Sequence, residues 1–151
     1  MKLISWNVNG IRAVLKKGFH AWIQQEKPDV LCLQETKIDK EEIHGKFDHI
    51  EDYHMYFNSG KKKGYAGVAT FSTEKLDNVT YGLGLKDFED EGRVVITDHK
   101  HFLLLNIYFP NSGRGHDRVQ YKLQFCDKVL QACEQFRKQG KKLVICGDYN
   151  I

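Results

Sequence analysis

MKLISWNVN at residues 1–9 and KLVICGDYNI at residues 142–151 are the two stretches whose reading decides the fold. Each is a short apolar run of strand length that stops on small or acidic polar residues: Ser5, Asn7 and Asn9 in the first, Asp148 and Asn150 in the second. Two further runs repeat the plan, VLCLQE at residues 30–35 and HFLLLNIYFPN at residues 101–111. Buried strands that deliver amides and carboxylates from their ends hold those groups on rigid supports. Four such strands predict one mouth lined by Asn7, Glu35, Tyr108, Asp148 and Asn150.

The residue types in that mouth suit phosphate chemistry. A carboxylate at Glu35 is a hard oxygen ligand of the kind Mg²⁺ takes, alongside waters and substrate phosphate. The Asn7 amide can hold a water, a phosphate oxygen or the Glu35 carboxylate. A Tyr108 hydroxyl turned to the mouth donates to a phosphate oxygen. Asp148 and Asn150 flank Tyr149, and alternation along an extended segment puts both on one side. There a carboxylate can orient an attacking water while the amide binds phosphate. Each residue taken alone also has a structural reading, as a solvated strand end, a turn or a packing tyrosine; their joint placement raises the functional one.

Outward from these strands, Ile11, Val14 and Leu15 fall at helical spacing, and Phe19, Trp22 and Ile23 share a face of a second short helix that Pro28 prevents from continuing. The strand–helix–strand order predicts that the first two strands are parallel neighbours. Five strand-length runs follow, over residues 53–58, 65–72, 76–81, 93–99 and 102–108. The turn signals between them predict antiparallel hairpins. A long helix is expected from a cap at Asp117 to about residue 139, with Val119, Leu123, Cys126, Leu130 and Cys133 on its apolar face. The fold class is α/β: a mixed, mainly antiparallel sheet with helices on one face, in a single domain over residues 1–151. Only five residues follow the last apolar strand, so the domain is expected to be incomplete at its carboxy-terminal end.

The composition, with 41% hydrophobic and 28% charged residues, is that of an ordinary globular protein. No run is long and apolar enough for a transmembrane span or a signal peptide, which predicts no membrane partner and a cytoplasmic location. Cys32, Cys126, Cys133 and Cys146 form no CxxC pair and read as free thiols rather than disulfides or zinc ligands. The net charge of +3 permits an anionic partner. Lys61, Lys62 and Lys63 read as a solvated loop. The glycines of GYAGVA at residues 64–69 lack the context of a nucleotide-binding loop and are expected to permit close backbone approach.

ISWNVNGIRA at residues 4–13, LQETK at 33–37, GYAGVATFS at 64–72, EGRVV at 91–95, NIYFPN at 106–111 and GDYN at 147–150 occur in one order. Together they resemble the exonuclease III family of apurinic/apyrimidinic endonucleases, within the endonuclease/exonuclease/phosphatase superfamily. The resemblance implies a four-layer α/β sandwich of two sheets with helices outside both. It also implies Mg²⁺- or Mn²⁺-dependent cleavage of double-stranded DNA 5′ to abasic sites, with trimming at 3′ ends. By motif, Glu35 would be the principal metal ligand with Asn7 close to it, and Tyr108, Asp148 and Asn150 would be the catalytic and phosphate-holding groups. Arg12, Lys37, Arg93, Arg114 and Arg118 would contact the DNA backbone.

Members of that family are longer, and the later motifs, including a further metal-site aspartate and a Ser-Asp-His segment, have no counterpart here. Weak or absent activity of the chain alone is therefore expected, along with self-association or pairing with the missing carboxy-terminal part. Val68, Ala69, Leu104 and Ile145 are expected to lie exposed for want of a second sheet. The alternatives are a phosphoesterase of the same superfamily acting on a lipid or small phosphoester, and a non-catalytic DNA-binding or association module.

Overall fold

Apolar runs alternate with helices and turns to give the elements β1 (Leu3–Asn7), α1 (Ile11–Lys16), α2 (Phe19–Glu26), β2 (Val30–Gln34), β3 (His54–Asn58), β4 (Val68–Ser72), β5 (Val79–Tyr81), β6 (Val94–His99), β7 (Phe102–Tyr108), α3 (Val119–Lys138) and β8 (Leu143–Asp148). The structure, a computed structural model, describes residues 1–84, 86–113, 115 and 117–151, with residues 86 and 87 described by their backbone alone. Short 3₁₀ turns lie at Lys40–Glu42 and Lys86–Glu91.

The strands form two sheets of four, in the orders β1-β2-β4-β3 and β5-β6-β7-β8. β1 and β2 are parallel, with Asn7 opposite Gln34, as the strand–helix–strand order predicts. β7 and β8 are also parallel, with Tyr108 opposite Asp148, and α3 makes the crossover between them. The remaining pairs are antiparallel. Each parallel pair thus ends with two polar residues side by side.

Two sheets with helices outside both make the four-layer sandwich that the resemblance implies, each sheet carrying helices on one face. α1 and α2 place Ile11, Phe19 and Ile23 on Leu31, Leu33 and Phe71 of the first sheet. α3 places Phe125, Val129 and Cys133 on Ile96, Leu105 and Ile107 of the second. Between the sheets, Val30, Cys32 and Leu104 form one cluster, and Val68, Val95 and Tyr108 another. A strand covered on both faces has no reason to alternate, so every residue of β2 and β4 is buried.

Two expectations are corrected here. Val68, Ala69 and Leu104 are fully buried, because the chain supplies the facing sheet itself; only Ile145, at 38% exposure on the edge strand β8, lies open. The apolar face of α3 is only partly the expected one: Cys126 and Cys133 pack toward the core, but Leu123 and Leu130 do not. Leu123 and Leu130 are 52% and 61% exposed, and the row Phe125, Val129, Cys133 turns inward instead. The sequence holds two apolar rows at helical spacing, and the one bearing Phe125 buries the larger ring. The helix starts at Val119 with Arg118 at its N-cap and no side-chain cap, so Asp117 does not serve as one.

A buried polar side chain crosses from the second sheet to the first. Asn106 of β7 is fully buried and accepts a hydrogen bond from Gln34 Nε2 at 2.8 Å. It donates to the Ala69 carbonyl at 2.9 Å and to the Leu33 carbonyl at 3.3 Å. Gln34 in turn donates to the Ser5 hydroxyl at 3.1 Å. Removing one member of a satisfied buried network strands the others. Asn106→Ala is therefore expected to lower stability by about 2–4 kcal/mol, from the lost bonds to Gln34, Leu33 and Ala69 and the cavity left between the sheets together. Urea unfolding of the two proteins measures it.

Candidate active site

The predicted mouth is assembled where the two parallel pairs end. Asn7 leaves β1 with its amide turned between two carboxylates: Nδ2 donates to Glu35 Oε1 at 2.9 Å and to Asp148 Oδ2 at 2.6 Å. Glu35 belongs to the first sheet's strand end and Asp148 to the second's, so one donor bridges both sheets. The Asn7 Oδ1 accepts from the Asn9 backbone N–H at 2.9 Å, which fixes the orientation of the amide. Holding Glu35 is thus observed together with the turn-shaping bond to Asn9. The amide nitrogen faces both carboxylates, so Asn7 stands directly beside the carboxylate that would hold a metal ion.

Tyr108 hydrogen-bonds the Glu35 carboxylate, and the Asn150 side chain reaches the Tyr108 hydroxyl. The Asp148 Oδ1 accepts from the Asn150 backbone N–H at 2.9 Å, and Asn150 Nδ2 donates to the Phe109 carbonyl at 2.8 Å. Lys37 closes the rim, with Nζ 2.8 Å from Glu35 Oε2 and 2.5 Å from Asn9 Oδ1. All five residues of the mouth therefore share one connected network, with Lys37 beside them.

Backbone strain collects at this network. Asn9, Glu35, Lys37 and Asn150 have φ of 43°, 52°, 49° and 52°, the left-handed region that side-chain-bearing residues avoid. Such conformations persist where the surroundings over-determine them. Two glycines make the approach possible. A Cβ on Gly67 would sit 2.5 Å from Thr36 Oγ1, beside Glu35, which is the close approach expected of the GYAGVA segment. A Cβ on Gly147 would sit 1.8 Å from the Ile107 carbonyl oxygen, beside Asp148.

The electrostatics separate the roles of the groups. Burial works against ionisation of Glu35, but hydrogen bonds from Lys37, Asn7 and Tyr108, with the Lys37 charge, hold its carboxyl below the ordinary value. Tyr108 is pushed up to about 12, first by burial and then by the hydrogen bond and charge of Glu35. At neutral pH the pair is a carboxylate and a neutral phenol. The donor set offers a hard divalent cation one well-formed ligand, the ionised Glu35 carboxylate, consistent with ions that take one or two protein carboxylates and keep several waters. Among the described residues, no group of three or more acidic, histidine or cysteine side chains could hold a metal by itself.

The basic candidates divide. Arg12 is half exposed at the rim, where it donates to Glu42 at 2.9 Å and to the Lys37 carbonyl at 3.3 Å. Arg93 is 2% exposed and is corrected from a surface contact to an internal one. Its guanidinium donates to Glu91 at 2.6 Å, to the Tyr108 carbonyl at 3.0 Å and to the Tyr65 hydroxyl at 3.2 Å, and lies 4.6 Å from the Tyr108 ring centre. A buried guanidinium needs those partners, and at 2% exposure it presents no surface to a DNA backbone. Arg118 is partly exposed and bonded to Glu91 and Tyr65. Arg114 lies outside the described residues. Lys61 of the lysine run pairs with Asp90 at the surface.

The Glu91 cluster beneath Tyr108 was not singled out as part of the site. Glu91 accepts from Arg93 nearby and from Arg118 and Tyr121 far along the chain, and only the EGR triplet at residues 91–93 signalled it. Burial opposes ionisation of Glu91, but the Arg93 hydrogen bond and the two arginine charges hold it below its ordinary value of 4.5. With both Glu35 and Glu91 lowered, the unfolded chain binds more protons than the folded one in acid. Their contribution to stability is fully present above the ordinary carboxylate range and is lost as pH falls through the lowered folded values. Urea midpoints are expected to drop below about pH 4.5. The drop should be shallower in Glu91→Gln, which starts from lower stability at neutral pH.

The model of the endonuclease/exonuclease/phosphatase family matches residues 4–151. The chain is 42% identical over 153 residues to the exodeoxyribonuclease of Bacillus subtilis (strain 168), covering all of this chain and 59% of that protein. It is 39% identical over 153 residues to the DNA-(apurinic or apyrimidinic site) endonuclease of Dictyostelium discoideum, covering all of this chain and 42% of that protein. An AP endonuclease structure from Archaeoglobus fulgidus superposes with a TM-score of 0.84 at 31% identity, over all of this chain and 58% of the other. The chain thus spans about three-fifths or less of the length of these relatives.

Proposed function

Because this chain belongs to the endonuclease/exonuclease/phosphatase family, we propose that it carries most of the catalytic groups of a DNA-repair nuclease of the exonuclease III type. The reaction is metal-dependent hydrolysis of duplex DNA 5′ to abasic sites and at 3′ ends. The observation that carries this reading is the Asn7 amide shared by Glu35 and Asp148, with a neutral Tyr108 phenol on the same carboxylate. Two carboxylates from different sheets, held apart by one donor, can take separate roles in hydrolysis.

In this reading Glu35 holds Mg²⁺ or Mn²⁺, whose oxygen preference does not separate the two. The bound ion supplies charge neutralisation at the phosphate. Asp148 orients the attacking water and takes its proton. The Tyr108 hydroxyl and the Asn150 amide donate to phosphate oxygens and hold the scissile bond in place. Asn7 keeps the Glu35 and Asp148 carboxylates in register. Arg12 and Lys37 at the rim meet backbone phosphates, which gives sequence-independent, salt-sensitive binding.

The test is incision of an end-labelled duplex carrying one abasic site, in Mg²⁺ and in EDTA. It is run with the chain alone and with the remaining two-fifths of the Bacillus subtilis relative added. Metal-dependent incision 5′ to the site by the supplemented chain, abolished by EDTA, is expected. Absence of such incision, with hydrolysis of a small or lipid phosphoester instead, would overturn the reading in favour of another phosphoesterase of the family.

A further inference from the structure

Two of the four cysteines meet across the gap between the sheets, and the proposed chemistry uses neither. Cys32 of β2 is fully buried, whereas Cys146 of β8 is partly exposed on the edge strand. Both pack in the cluster of Val30 and Leu104, close enough that each thiol shifts the other's ionisation. The Ser5 hydroxyl hydrogen-bonds Cys146 as well, and the Thr70 hydroxyl reaches Cys32. The sheets are close here. β2 and β8 bring Cα atoms within 8 Å, where face-packed sheets usually keep about 10 Å. A disulfide spans roughly 4.4–6.8 Å between Cα atoms, a shorter span than packed sheets usually leave between facing residues.

We infer that Cys146 and Cys32 form a thiol pair oxidisable by peroxide, whose disulfide ties β8 to β2 two residues before Asp148. Exposure sets the order of events. Cys146 is the thiol that solvent reaches, and hydrogen bonds from Cys32 and Ser5 favour its thiolate, against the burial that opposes it. Cys32 is pushed up by its hydrogen bond to Cys146 and by burial, and waits as the second thiol.

The Cys146 sulfur attacks one peroxide oxygen and the O–O bond breaks. Cys146 becomes a sulfenic acid, and the other oxygen leaves as water with the thiol proton. The Cys32 sulfur then displaces hydroxide from the Cys146 sulfur, and the Cys32 proton leaves with it as a second water. Two thiols lose two electrons, and the peroxide gains them.

The two cysteines lie on strands that run to Glu35 and Asp148, so joining them fixes the spacing between the two halves of the candidate site. That regulatory consequence rests on the nuclease reading; the oxidation itself does not.

The experiment treats the folded chain with hydrogen peroxide, blocks remaining thiols, and digests with trypsin without reduction. Trypsin spares the Lys27–Pro28 bond, so Cys32 lies in the peptide of residues 18–37 and Cys146 in that of residues 143–151. The two peptides linked, with the mass of two hydrogens lost, are expected as the main oxidised product, reversed by dithiothreitol. Peroxide in urea should instead scatter links over Cys126 and Cys133. In Cys32→Ser, confirmed folded by circular dichroism, the link is absent and Cys146 is trapped as a sulfenic acid by dimedone. In the unaltered protein, sulfenic acid at Cys146 without a link, preferential oxidation of Cys126 or Cys133, or no oxidation would each overturn the inference. Retention of the link with loss of no activity in the supplemented chain would remove only the regulatory consequence.

Discussion

Gly147→Ala is expected to lower the thermal midpoint by roughly 10 °C, reflecting a loss of about 3–5 kcal/mol. The glycine pairs with Ile107 in the parallel ladder of β7 and β8 and has φ of 143°. A Cβ there would stand 1.8 Å from the Ile107 oxygen, 2.8 Å from its carbonyl carbon and 3.0 Å from its nitrogen. All three are backbone atoms of a central strand, so no rotamer change relieves the overlap. The strand must move, and it carries Tyr108 with it. Gly140→Ala separates clash from strain, because that glycine also has positive φ, at 78°, but nothing within 4 Å of its added Cβ. It should cost only about 1 kcal/mol. Equal losses at the two positions, read by calorimetry, would show that conformation and not contact dominates at Gly147.

Glu35→Gln is expected to lower incision by the supplemented chain by about 10²-fold or more while leaving duplex binding unchanged or tighter. The substitution keeps the shape of the side chain and removes its charge. A neutral amide binds a hard divalent cation weakly. It also ends the ion pair with Lys37, so that ammonium becomes free for a backbone phosphate, which is why affinity should not fall. Single-turnover cleavage with protein in excess isolates the chemical step, and fluorescence anisotropy reads binding in the absence of Mg²⁺. A rate within a few-fold of the unaltered protein would mean that the ion is not held by Glu35.

The strand ends were legible because each apolar run stops abruptly on a polar residue, and the parallel pairing of the first two strands followed from the strand–helix–strand order. The mouth of Asn7, Glu35, Tyr108, Asp148 and Asn150 came from those two facts. The number of sheets was not legible. β5, β6 and β7 have the same residue types as β3 and β4, and nothing local says which sheet a hairpin joins. Nor was the inward face of α3, since two apolar rows compete and only the packing partner chooses between them. Arg93 was misread because arginine is rarely buried. Its burial depends on Glu91, Tyr65 and the Tyr108 carbonyl converging from three separate segments. The bridge that Asn7 makes to Asp148 was not legible either, because it joins residues 141 apart in the chain.

The bonds from Asn106 to Gln34, Leu33 and Ala69 have a consequence for how the protein can vary. Glu35 and Asn7 ride on one sheet, Tyr108 and Asp148 on the other. The datum against which the two are aligned is therefore an amide sealed in the interior, which no substrate touches. Loops around the mouth can be rewritten for a new substrate shape without recalibrating the groups beneath them. Conversely, a conservative change at Asn106 that the fold survives would detune them all at once, a failure of tolerance arising well below the surface on which the substrate sits.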